Sequence, residues 1–164
     1  MLKLSKRADY GLIALKHLAV QGREHSASAK EIGGHYKIPV PLMSKVLQTL
    51  TRHGFLSSEH GTRGGYRLAR DPRSISALEV VKAIDGPVIL TSCFTDHRDC
   101  DQSERCIVRE PLRKIHEGIL GLLASIKIAD MTAGEEETPG GGHGWEEPDS
   151  RLYSVESGIA ALSK

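Results

Sequence analysis

The chain has 164 residues, 39% of them hydrophobic and 26% charged, with 22 Lys and Arg against 21 Asp and Glu. That apolar fraction can build a core for one compact domain, or a small domain with an appendage, and excludes a wholly disordered chain. No run of 18 apolar residues occurs, so neither a membrane span nor a secretory signal is expected, and the reading is of a cytoplasmic protein. The charge is unevenly spread. Residues 1–92 carry 14 basic and 7 acidic side chains, and residues 93–164 carry 8 and 14. A basic first half suits a polyanion, either nucleic acid or an anionic membrane surface.

Ser5 to Gln21 reads as a helix: Ser5 can cap it, Tyr10, Ile13, Ala14 and Leu18 recur at helical spacing, and Gly22 stops it. Ser28 and Glu31 stand at capping-box spacing and open a helix that Gly33-Gly34 should hold to about two turns. Lys37 to Val40 is a turn, and Pro41 suits the first position of the next helix. Leu42, Val46, Leu47 and Leu50 form its apolar stripe down to His53-Gly54. Phe55–Ser58 and Tyr66–Ala69 are strand candidates joined by the glycine-rich loop Glu59–Gly65. Ser76 with Glu79 opens another short helix, closed by Gly86-Pro87. Helix, short helix, turn, helix, two-stranded hairpin and helix together make a winged helix-turn-helix over residues 1–90, a mainly α fold with a small β-hairpin wing.

Residues 91–107 are polar, lack periodicity and read as a loop. Val108, Leu112, Ile115, Ile119, Leu122 and Ile126 then recur at spacings of 4, 3, 4, 3 and 4, predicting a long helix over 108–130. A seam this narrow faces another helix. A symmetric dimer through Leu112, Ile115, Ile119, Leu122 and Ile126 is the economical solution, and an intramolecular core helix is the alternative. Residues 131–164, rich in Gly, Glu and Pro, are expected to be a disordered tail.

All three cysteines, Cys93, Cys100 and Cys106, fall within 14 residues at C-x6-C-x5-C spacing. An odd count in a cytosolic chain argues against a disulfide scaffold. The spacing lacks the CxxC pairs of a zinc ribbon. Thiolates at these positions leave an iron–sulfur cluster, zinc and redox-active thiols all open. No Cys/His pair has a catalytic context and no nucleotide-binding loop is present, so an enzyme is not expected.

Several stretches together resemble the iron–sulfur winged-helix regulators that include IscR and NsrR, the Rrf-two family. They are Leu4-Ser5-Lys6 with Asp9-Tyr10-Gly11, Ile38-Pro39-Val40-Pro41 with Lys45-Val46-Leu47, Ser57-Ser58 with Gly61 and Gly64-Gly65-Tyr66-Arg67-Leu68-Ala69, and Ile84-Asp85-Gly86-Pro87. The resemblance covers residues 1 to about 130, and the cysteine spacing looks closest to the branch controlling SUF-type cluster assembly. It implies a homodimeric regulator of iron–sulfur assembly genes that binds a pseudo-palindromic duplex and senses cluster status, redox state or nitric oxide. The alternative is a zinc- or thiol-redox-dependent repressor.

On that reading the cofactor is a [2Fe-2S] or [4Fe-4S] cluster on Cys93, Cys100 and Cys106. The family's IscR branch has a histidine three residues after the last cysteine, where this chain has Arg109, which cannot ligate. NsrR-like members use an acidic residue of the partner subunit near the N-terminus, a position matched by Asp9; His97 and His116 are its rivals. The DNA-facing set is Ser28 on the second helix, Pro41, Ser44, Lys45 and Gln48 on the recognition helix, and Thr62, Arg63 and Gly64 on the wing. IscR-like members have an acidic residue where Ser44 stands, so their operator does not carry over; family members usually have arginine where His60 stands, which implies that the minor-groove role moves to Arg63. Arg67 and Arg70 are either phosphate contacts or plain surface charge.

Overall fold

A computed structural model describes residues 4–59, 61, 64–91 and 105–132. Their helices are α1 (Lys6–Gln21), α2 (Ala29–His35), α3 (Val40–Arg52), α4 (Ala77–Asp85) and α5 (Arg109–Ser125); between α3 and α4 lie strands β1 (Leu56–Ser58) and β2 (Tyr66–Leu68). This is the winged helix-turn-helix order, followed by a long helix. Thr62, Arg63, Cys93, His97, Cys100 and residues 133–164 fall outside the described residues.

Three serines start three helices. Ser5 Oγ accepts the Ala8 N–H at 3.1 Å while donating to Asp85 at 2.6 Å, so the cap of α1 also grips the last residue of α4. Ser28 with Glu31 and Ser76 with Glu79 form complete capping boxes. Each glutamate accepts the serine's backbone N–H, and that bond is the main reason both carboxyls sit below the ordinary value of 4.5.

The core joins α1, α3, the hairpin and α4, with Leu15, Leu18, Met43, Leu47, Leu50 and Val80 fully buried. Two predicted stripes shift. On α1, Gly11 and Leu15 are buried while Tyr10 and Ile13 are half-buried. The helix packs on both α3 and α4 and therefore buries a wider arc than one stripe. Gly11 permits the α4 approach, since a β-carbon there would strike Ile84 Cδ1. In α3, Pro41 occupies the second helical position because the helix begins at Val40, and Met43 rather than Leu42 is fully enclosed. α2 runs for seven residues, the two turns expected, with the glycine pair inside it. A β-carbon on Gly33 would lie 2.8 Å from the Ile38 carbonyl oxygen, so this glycine lets the turn through Lys37 (φ 54°) fold tightly onto the helix.

In the wing, Leu56 pairs with Leu68, Ser57 with Arg67 and Ser58 with Tyr66. The strands are one residue shorter than predicted. A neighbour absent from the sequence reading adds to them: Ala27 and Tyr66 exchange backbone hydrogen bonds at 3.0 and 2.9 Å. A β-carbon on Gly65 would come within 2.8 Å of the Ala27 backbone, which is why the Gly-Gly-Tyr run needs its second glycine.

The last helix is shorter than the predicted 108–130. It ends at Ser125, and Ile126 is its extended C-cap, with its carbonyl accepting the Ala77 N–H at 2.9 Å. Ile126 therefore leaves the seam on which its spacing placed it. Ile128 donates its N–H to the Ile75 carbonyl at 2.9 Å and is fully buried. Met131, in the one-turn helix Asp130–Thr132, packs against the core, so residues 131 and 132 belong to the folded body rather than to a tail. The burial of Ile128 and the bridge between Ser76 and Lys127 draw the chain back there.

Candidate nucleic-acid interface and thiol segment

The helix-turn-helix consists of α2, the Lys37 turn and α3. Met43, Val46, Leu47 and Leu50 anchor α3 in the core. The opposite arc carries Pro41, Lys45 and Gln48, all exposed, with Ser44 half-buried beside them. Spacings of 3 and 4 put these four on one face. Such a face offers a hydroxyl, an ammonium and a carboxamide, groups able to pair with base edges or phosphates. Thr49 is engaged by its own helix, its hydroxyl donating to the Lys45 carbonyl at 3.0 Å.

The wing stands beside this helix. Gly64 is held tightly, because a β-carbon on it would sit 2.5 Å from the Glu59 carbonyl oxygen. Thr62 and Arg63, the expected tip, fall outside the described residues. Ser28, Ser58, Glu59, Gly64 and Tyr66 line a cleft of about 500 Å³ between the start of α2 and the hairpin. Ser28 Oγ accepts the Glu31 N–H at 3.2 Å, which holds the side chain at this edge of the cleft.

The two arginines of the hairpin region divide. Arg70 is structural: it donates to the Ser74 carbonyl at 3.0 Å, pairs with Glu79 at 3.1 Å and lies 5.4 Å from the centroid of the Phe55 ring. Arg67 lies on the outer face of β2, half-exposed and paired with Glu59 at 3.1 Å. Sequence reading gave neither partner, because Arg67 meets Glu59 only when the hairpin closes and Arg70 meets Glu79 only when the start of α4 folds beside it.

Of the thiol segment, only Cys106 is among the described residues; it is half-buried, reduced and three residues before α5. No group of three His, Cys, Asp or Glu side chains converges among the described residues. Cys93, Cys100 and His97 lie outside them. Asp9 occupies the first turn of α1, exposed, with no side-chain hydrogen bond or ion pair among the described residues. His116 is half-buried in α5.

α5 has no buried residue at all. Val108, Ile115 and Leu122 are 51%, 53% and 63% exposed, and Leu112 and Ile119 between them are half-buried. Arg113 bridges Glu110 and Glu117 on the polar side, and these carboxylates hold its guanidinium firmly charged.

A polar face on the second helix of a helix-turn-helix, with a β-hairpin beside it, is the architecture of winged-helix DNA-binding transcription regulators. The model of the Rrf2 family, described as an iron-dependent transcriptional regulator, matches residues 4–134, and the chain belongs to that family. An HTH-type transcriptional regulator of Synechocystis sp. is 34% identical over 132 residues, covering 79% of this chain and 87% of the relative. Among solved structures, IscR of T. potens superimposes with a TM-score of 0.66 at 27% identity, covering 85% of this chain and 94% of that one. CymR, the global cysteine regulator of B. subtilis, does so with a TM-score of 0.68 at 25% identity, covering 81% and 98%. No helix among the described residues is long and apolar enough to cross a membrane.

Proposed function

We propose that this regulator acts as a homodimer whose hold on a pseudo-palindromic operator depends on an iron–sulfur cluster, and that it controls genes for cluster assembly. The observation that carries the reading is the C-x6-C-x5-C run, whose last thiol stands three residues before a helix with an exposed apolar seam. The donor chemistry fits: three soft thiolates in one short segment suit iron–sulfur ligation. Cys93, Cys100 and Cys106 would hold the cluster, with Asp9 of the second copy as fourth ligand. Its carboxylate has no competing partner among the described residues. Bound there, a cluster supplies reversible redox and iron-responsive chemistry.

The rest falls to the chain's own residues. α4 lies between the two arms that flank the thiol segment. Gly86 (φ 86°) launches one arm from its C-terminal end. Ile75 and Ala77 pair with Ile128 and Ile126 at its N-terminal end, where the other arm returns from α5. Asp85 grips the start of α1 through Ser5. A change in the thiol segment thus reaches α1 and α3 through α4. In a dimer with half-sites about 34 Å apart, a small rotation of each body removes whole sets of contacts.

Purification without oxygen, with absorption spectra and iron and sulfide counts, tests the reading. Visible absorption near 400 nm is expected, lost on replacing any of the three cysteines by Ala and made labile by Asp9→Ala. Stoichiometric zinc with no visible chromophore would replace the cluster with the zinc-dependent reading, and neither metal nor chromophore would favour thiol redox control. If Asp9→Ala leaves the spectrum unchanged while His97→Ala or His116→Ala alters it, the fourth ligand is histidine.

A further inference from the structure

The wing carries an acidic residue where DNA binding by itself would favour a basic one. Glu59 exchanges backbone hydrogen bonds with Gly65 at 2.8 and 3.1 Å, which fixes its position at the foot of the hairpin loop. From there it lines the cleft between the wing and the first turn of α2, opposite Ser28. Its carboxylate also reaches Arg67 at 3.1 Å, and Arg67 is steadied by Ser57, whose hydroxyl oxygen accepts from Nε at 3.3 Å. Glu31, closing the capping box on Ser28, adds a second carboxylate at the same end of α2. A sugar–phosphate strand passing from α2 to the wing would cross this cleft.

We propose that Glu59 is a specificity-determining residue that restrains sequence-independent attraction by holding Arg67 away from the phosphate backbone. The proposal rests on the DNA-facing assignment of α3 and the wing. Phosphate attraction is the same for every duplex, whereas base-edge contacts distinguish them. A carboxylate that occupies one arginine lowers the first and leaves the second to Lys45 and Gln48. The pair is well suited to exchange, since its side chains are 44% and 40% exposed and such pairs hold weakly against solvent. On a tightly fitted operator Arg67 turns from Glu59 to a phosphate; on a loosely docked duplex it stays.

The test uses the full-length protein and a random-sequence duplex, titrated between 50 and 200 mM salt. Glu59→Gln should bind this DNA more tightly, with a salt slope steeper by about one, so that its advantage is about 3.5-fold larger at 50 mM than at 200 mM. Arg67→Ala should abolish that gain in the double variant. Lys45→Ala serves as the reference for the DNA-facing assignment. If Lys45→Ala weakens binding and Glu59→Gln changes neither affinity nor slope, the proposal falls and the interface stands. If neither variant has an effect, the interface itself is misplaced. A gain from Glu59→Gln that persists without Arg67 would also overturn the proposal, because the carboxylate would then act by direct repulsion. Equal thermal melting of the variants and the parent excludes a folding effect.

Discussion

α3 and α5 are both amphipathic helices of similar length, and they end in opposite situations. α3 sinks Met43, Val46, Leu47 and Leu50 into a core made by its own chain. α5 carries an equally regular apolar row and buries none of it. Periodicity tells which face of a helix is apolar, but not whether the surface that covers it lies in the same molecule. For α3 the answer is within the chain, because short connections fold α2, the hairpin and α1 around it. α5 is reached only after the long cysteine segment and is tied back at its far end through Ile126 and Ile128, leaving its seam facing outward. In the proposed dimer a second copy completes this stripe.

The largest expected effect follows from the covered side of this comparison. Leu47→Ala, at a fully buried position, should destabilise the folded body by about 2–5 kcal/mol in chemical denaturation. Leu122→Ala, on a side chain 63% exposed within one copy, should alter the stability of a dilute monomer by no more than about 0.5 kcal/mol. Comparable losses at both positions would mean that α5 is covered within the chain. Ile119→Glu or Leu122→Glu should instead give monomers in sedimentation with weakened duplex binding, and unchanged sedimentation would remove the dimer from the proposal.

Gly65→Ala probes the joint between wing and body. Its β-carbon would meet the Ala27 backbone, so the bridge to Tyr66 must open, at about 1–3 kcal/mol. Faster exchange of the Ala27 and Tyr66 amides would report it. Gly34→Ala, with open space around the added methyl, should be neutral or stabilising by comparison.

The smallest effect concerns the capping boxes. Folding depresses the carboxyls of Glu31 and Glu79, chiefly through the serine N–H bonds. Their contribution is therefore complete above the ordinary value of 4.5 and is lost as pH falls through the lower folded values. Ser76→Ala should cost about 0.5–2 kcal/mol near neutral pH. Thermal melting of that variant between pH 5 and pH 3 should fall less steeply than that of the parent, and parallel curves would show that the box does not hold the Glu79 charge.

The helix starts were legible because capping is local: Ser5, Ser28 and Ser76 each act within three residues of their own position. The polar face of α3 was legible for the same reason, since Pro41, Ser44, Lys45 and Gln48 share a side of any helix that begins near Val40. The sites differ in this respect. Arg70 could be read only as a charge until Phe55 and Glu79, 15 positions before and 9 after it, were brought around it.

What the sequence by itself determined is thus the order of elements, their caps, the polar face of α3 and the grouping of three thiols, all features set by spacings of a few residues. The tertiary structure decided which apolar stripe is covered and where α5 stops. It also decided that Ala27 joins the wing, that Arg70 is a brace, and that Glu59 occupies Arg67. Each of these depends on how separate elements or paired strands fold onto one another, and a local pattern of hydrophobicity or charge carries no record of the partner it will meet.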